Sequence, residues 1–270
     1  MTYAPVLPLS GYAGWTLLNR TMKVQTAAFN KSPEILRDED YFRAKIGSVK
    51  TADQLVGDRR LLKVALGAFG LDFDIDNKAF IKKILKDGTL SSTALANRLA
   101  DKRYQQFSAA FGFDLSIPAT QISTFANRIV TAYKSREFES AVGDQDADLR
   151  LALNAQRELT ELAAKSSTET TKWLTILGNS PLTTVFQKAL GLPSSIGSLN
   201  LDQQLSIYQT KAEAVFGNGA ISQFKDSTKV DALIKRFLTR SAADQLIGQT
   251  SSRSLALTLM QQTRASMRSR

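Results

Sequence analysis

The chain contains no histidine and no cysteine among its 270 residues. Without histidine it lacks the side chain that titrates near neutrality, the commonest general base and the commonest transition-metal ligand. Without cysteine it lacks a thiolate nucleophile, a thiolate ligand and any disulfide. Ser-His-Asp and Cys-His catalysis, the usual zinc sites and histidine-held haem are thereby excluded. Proline (6) and glycine (15) are also scarce, too few turn formers for an all-β protein with many tight turns. No apolar run approaches the roughly 20 residues of a membrane span. The opening residues Met1 to Pro5 show no basic region leading into an apolar segment, so no Sec signal peptide is read there.

What is present is ordinary globular composition, 43% hydrophobic and 22% charged. Apolar residues recur at helical spacing almost throughout. Trp15, Leu18, Met22 and Ala27 predict a first helix over Ser10–Phe29. Ser32-Pro33-Glu34 supplies an N-cap, a proline at the first helical position and an acidic first turn, opening a second helix that runs to Ile46. Thr51-Ala-Asp-Gln54 is a capping box, opening one helix that carries Leu55 through Phe69. Further helices are expected over Asn77–Lys86, Ser92–Phe111, Thr120–Lys134, Glu137–Lys165, Ser167–Leu177, Leu182–Leu190, Leu201–Phe216 and Ser227–Arg240, with a last one near Arg253–Gln262. The expected fold is therefore all-α, a multi-helix bundle of roughly ten helices. It divides into an N-terminal helical region, 1–118, and a C-terminal one, 119–270, with one continuous domain as the alternative.

One pattern recurs. Ala65-Leu-Gly-Ala-Phe-Gly-Leu-Asp72 returns as Phe107-Ser-Ala-Ala-Phe-Gly-Phe-Asp114 and as Phe186-Gln-Lys-Ala-Leu-Gly-Leu-Pro193. Each reads as a helix end with a left-handed glycine (Gly70, Gly112, Gly191) and an apolar residue folding back on the last turn. Gly217 is a looser fourth copy. The spacings of 42 and 79 residues fit helices stopped by the same physics better than a stacked repeat.

Three chemical motifs fail on inspection. Asp72-Phe-Asp-Ile-Asp-Asn77 opens like a calcium loop but has Asn77 and Lys83 where glycine and a bidentate glutamate belong; Asp74 or Asp76 is expected to cap the next helix instead. Ser222-Gln-Phe-Lys225 has serine-lysine spacing without its companion elements. Gly217-Asn-Gly219 lacks the third glycine of a dinucleotide fingerprint. A carboxylate-only hydrolase stays open, with no acidic pair singled out. No catalytic, cofactor-binding or metal-ligating residue is assigned, and no enzyme activity is expected.

The net charge of +10 is uneven. Residues 1–150 carry +4, 151–224 are neutral, and the last 46 carry +6. Arg59-Arg60 and Lys82-Lys83 read as solvated helix faces. The candidate interaction surface is the basic C-terminal region: Lys229, Lys235, Arg236 and Arg240 on an amphipathic helix, then Leu255, Leu259 and Arg264 beyond it.

Tyr41-Phe-Arg-Ala-Lys-Ile-Gly47, Thr51 to Leu71, Ala79-Phe-Ile-Lys-Lys-Ile-Leu-Lys-Asp-Gly-Thr89, Leu95 to Tyr104, Ala189-Leu-Gly-Leu-Pro193 and Leu201-Asp-Gln-Gln204 together resemble an alphaproteobacterial family of unknown function. Its members often carry flagellar names, some of them basal-body rod protein. The resemblance implies a role in flagellar assembly and transfers no catalytic residues. The first helix lacks the paired-asparagine motif of rod and hook proteins, so an accessory or structural role is expected rather than a rod subunit. The expected partners are flagellar proteins, with self-association left open and location cytoplasmic or flagellar. A nucleic-acid-binding or regulatory role for the basic C-terminal region is the runner-up.

Overall fold

The computed structural model describes residues 3–246. Over that span the protein is all-α, with thirteen helices and no strand among the described residues. They are α1 (Gly11–Asn30), α2 (Pro33–Ile46), α3 (Ala52–Gly57), α4 (Arg59–Gly67), α5 (Lys78–Asp87), α6 (Leu95–Arg98), α7 (Arg103–Phe111), α8 (Phe125–Gly143), α9 (Ala147–Ala164), α10 (Glu169–Leu177), α11 (Ser180–Leu190), α12 (Leu201–Phe216) and α13 (227–246). None of the described helices is long and apolar enough to cross a membrane.

Local chemistry explains most helix ends. Thr51 and Gln54 form the expected capping box: the Gln54 amide donates to Thr51 Oγ1 and Gln54 Oε1 accepts from the Thr51 N–H. Gly70, Gly112, Gly191 and Gly217 all take positive φ at helix ends, as expected. After α4 and α11 the following residue closes a Schellman motif, Leu71 N–H to Leu66 O at 3.0 Å and Leu192 N–H to Gln187 O at 2.9 Å.

Six expectations need correction. The helix opened by Thr51 breaks at Asp58, which ends α3 and then caps α4 by accepting from Arg60 and Leu61 N–H at 3.0 and 3.1 Å. Ser92–Phe111 is two helices, because Lys102 Nζ bonds the Asn97 and Leu99 carbonyls at the end of α6. The break placed between Lys134 and Glu137 lies at 144–146, where Asp146 caps α9 through Leu149 N–H at 3.0 Å. Neither Asp74 nor Asp76 caps α5. Asp74 is buried and accepts from Tyr104 Oη (2.5 Å) and Asn77 Nδ2 (2.6 Å), while Asp76 pairs with Arg59. On α1, Ala27 is exposed and Gln25 is buried instead; its amide clasps both the N–H and the C=O of Val6, seating the N-terminal segment. The Ser32 hydroxyl makes no cap bond.

The long helices α8 and α9 form a hairpin against which α1, α2, α4 and α11 pack. α9 touches α1, α8, α11 and the 3₁₀ turn Ile221–Lys225, while α4 packs on α2, α3 and α8. Buried residues from Trp15 to Leu238 join one hydrophobic cluster that runs through residues 118–119. Charges at its edge are paired. Arg157 forks onto Glu139 (2.7 and 3.0 Å) and reaches Glu158 (2.6 Å), and Arg136 also bonds Glu158 (3.0 Å), stapling α8 to α9. Burial pushes the Glu158 carboxyl up, but the Arg157 and Arg136 guanidiniums more than reverse this and leave it below the usual carboxylate range.

Candidate functional site

An open cleft of about 850 Å³ lies beside the α8–α9 hairpin. Five cations face it: Arg59, Arg60 and Lys63 from α4, Arg103 from α7 and Arg150 from α9. The turn after α4 adds Asp72, Phe73 and Ile75, and α8 adds Glu137. This juxtaposition follows from how α4 stops. Gly70 at φ +68° turns the chain, and a Cβ there would meet Arg136 and Arg103 guanidinium nitrogens at 3.2 and 3.4 Å. Arg103 Nη1 donates to Gly70 O (2.5 Å) and Arg136 Nε to Ala68 O (2.9 Å), so two guanidiniums cover the carbonyl end of α4.

The cations are not equivalent. Arg59 pairs with Asp76 (2.5 Å), Lys63 with Glu34 (3.0 Å) and Asp38 (2.8 Å), and Arg103 with Asp101 (2.6 Å). Arg60 stacks over Tyr41 with 3.8 Å from its central carbon to the ring centroid, and donates to Arg37 O at 3.2 Å. It has no carboxylate partner among the described residues, and neither does Arg150.

The carboxyls in the cleft are likewise unmatched. Neither Asp72 nor Glu137 accepts a hydrogen bond from a described side chain or N–H. Burial, then the nearby Asp72 charge, push the Glu137 carboxyl up to about 7; Lys63 opposes this, and Glu34 and Asp38 add to it. Phe73 stands 64% exposed on the rim, a large apolar group left in water among guanidiniums.

The sequence-derived surface lies elsewhere, and its basic groups are put to local use. Lys229 Nζ donates to Phe216 O at the end of α12 (3.1 Å), and Arg236 Nε to Ala189 O near the end of α11 (3.3 Å). Arg240 lies against Gly191, just past α11, and Lys235 sits over the Tyr12 ring. Cations at helix C-termini complement the partial negative charge there. Leu255, Leu259 and Arg264 lie outside the described residues, as does the helix expected near Arg253–Gln262.

Ser222 is drawn into a polar cluster the sequence did not reveal. Its hydroxyl bonds Glu169, and Lys172 Nζ reaches it at 2.6 Å and Glu169 at 3.0 Å. Glu169 also takes the Ile221 and Ser222 N–H groups, capping the turn Ile221–Lys225. With Lys172 buried and the serine proton directed at Glu169, the cluster is a clamp between α10 and that turn. No group of acidic residues among the described ones is arranged to hold a metal ion.

Fold and cleft define an all-helical protein that presents a mixed-charge groove. The chain belongs to a family of proteins of unknown function, DUF1217, whose model matches residues 68–230. It is similar to a crystal structure of protein AGR_C_984 from Agrobacterium tumefaciens, a structural-genomics target, with a TM-score of 0.71 and 26% identity over 88% of this chain and 97% of that one. Among curated proteins nothing matches it. The family match takes in Gly70, Phe73, Arg103, Glu137 and Arg150 but not Arg59, Arg60 or Lys63.

Proposed function

We propose that this protein is a non-catalytic structural or accessory component that acts through protein–protein contacts, in the flagellar setting that its sequence resemblance implies. The observation that supports contact as its mode of action is the cleft: guanidiniums at Arg60 and Arg150 without a carboxylate partner among the described residues, and an exposed ring at Phe73. Arginine and large aromatics are the side chains enriched where protein interfaces gain their energy. The missing histidine and cysteine leave few routes to covalent or metal chemistry and do not impair binding. The flagellar setting rests on the resemblance carried by Tyr41 to Gly47, Thr51 to Leu71 and the later segments. Clean deletion of the gene tests it. Reduced swimming with fewer or defective flagella is expected, and wild-type motility and flagellation would overturn it.

A further inference from the structure

We propose that the cleft between Arg60 and Arg150 is the docking site for an acidic segment of a partner protein, held extended with one apolar side chain against Phe73. This rests on the contact-based function above and names the chemistry of the partner. Arg59, Lys63 and Arg103 each have carboxylates of their own, whereas Arg60 and Arg150 have none among the described residues. A guanidinium offers a planar fork of donors that matches a carboxylate. Arg60 is fixed in place by Tyr41 and by the Arg37 carbonyl, so little side-chain freedom remains to be lost on binding.

The cleft carries the complementary set of groups as well. Asp72 and Glu137 line it as acceptors without donors among the described residues. A polypeptide backbone supplies N–H donors for such acceptors; a phosphodiester backbone has none and would bring only repulsion. Phe73 and Ile75 give an apolar foothold on the same wall. Carboxylate side chains for the guanidiniums, main-chain N–H groups for the carboxyls and an apolar residue for the ring are features of one ligand class, an acidic peptide. A volume of about 850 Å³ suits a segment of several residues rather than a single small anion.

The test is fluorescence anisotropy on the full chain at low salt. The probe is a fluorescein-labelled peptide of glutamates interrupted by two leucines; comparison probes are its glutamine counterpart and a labelled single-stranded DNA of similar length. The double variant Arg60→Gln, Arg150→Gln should weaken peptide binding by about tenfold or more, since two charge-assisted contacts are lost. Lys211→Gln with Lys225→Gln removes the same charge from exposed positions outside the cleft and should change it by less than about threefold. Absence of wild-type binding, equal losses in both double variants, or tighter binding of the DNA would overturn the proposal. Reintroducing each variant into the deletion strain separates this idea from the flagellar reading. Full rescue of a motility defect by the Arg60→Gln, Arg150→Gln chain would overturn the cleft and leave the flagellar role. A deletion without phenotype, with cleft-dependent peptide binding intact, would overturn only the flagellar role.

Discussion

Replacing Glu137 with glutamine should make the protein more stable at pH 8 and leave it unchanged near pH 4. Glu137 is half-buried on α8, without a hydrogen-bond partner among the described residues, and its carboxyl is pushed from the usual 4.5 up to about 7. The folded state therefore holds this proton more tightly than the unfolded chain does. Between about 4.5 and 7 the native state binds the extra proton, so Glu137 lowers stability progressively as pH rises through that window, fully so by pH 8. A shift of that size corresponds to about 3 kcal/mol at 1.36 kcal/mol per unit, and partial water access reduces it to about 1–2 kcal/mol. Glutamine mimics the neutral acid, so the variant should gain that amount at pH 8 and nothing at pH 4, a rise in Tm of about 2–8 °C at the higher pH. Urea unfolding followed by the fluorescence of the buried Trp15 and Trp173 reads the difference directly. Taking variant minus wild type at each pH cancels the titration of carboxylates that do not interact with Glu137. An equal difference at both pH values, or a less stable variant at pH 8, would show that the Glu137 charge carries no such cost in the folded state.

Two further perturbations probe the frame that holds the cleft. Arg157→Met should cost about 3–5 kcal/mol in chemical denaturation, because it strips Glu139 of its forked partner in a buried setting while Glu158 keeps Arg136. Gly191→Ala places a side chain at φ +68° and 2.5 Å from an Arg240 nitrogen; it should lower stability by about 1–2 kcal/mol, with a drop in Tm as the readout.

The fold class was legible because helical periodicity and caps are local signals. Gly70, Gly112, Gly191 and Gly217 stop helices in the left-handed conformation for the reason visible in the sequence: only glycine enters it without strain. Boundaries failed where one residue switched roles. Asp58 ends one helix and caps the next, which the unbroken apolar spacing of Leu55, Leu61 and Leu62 concealed. The cleft was not legible, since its walls are remote in sequence: Arg60, Phe73, Arg103, Glu137 and Arg150 meet only after α4, α7, α8 and α9 pack together. Arg59-Arg60 resembled a solvated pair, and nothing local marked Arg60 as lacking a carboxylate. The basic stripe of α13 drew notice because its charges cluster in sequence, yet Lys229 and Arg236 spend them on the carbonyl ends of neighbouring helices.

A structural role in the flagellum is tested by quantitative mass spectrometry of purified flagella with their basal bodies, set against the cytosolic fraction. Enrichment of this protein in the organelle at a fixed ratio to known flagellar subunits is the predicted result. Its presence in the cytosol alone, with none in the organelle, would contradict a structural role in the flagellum.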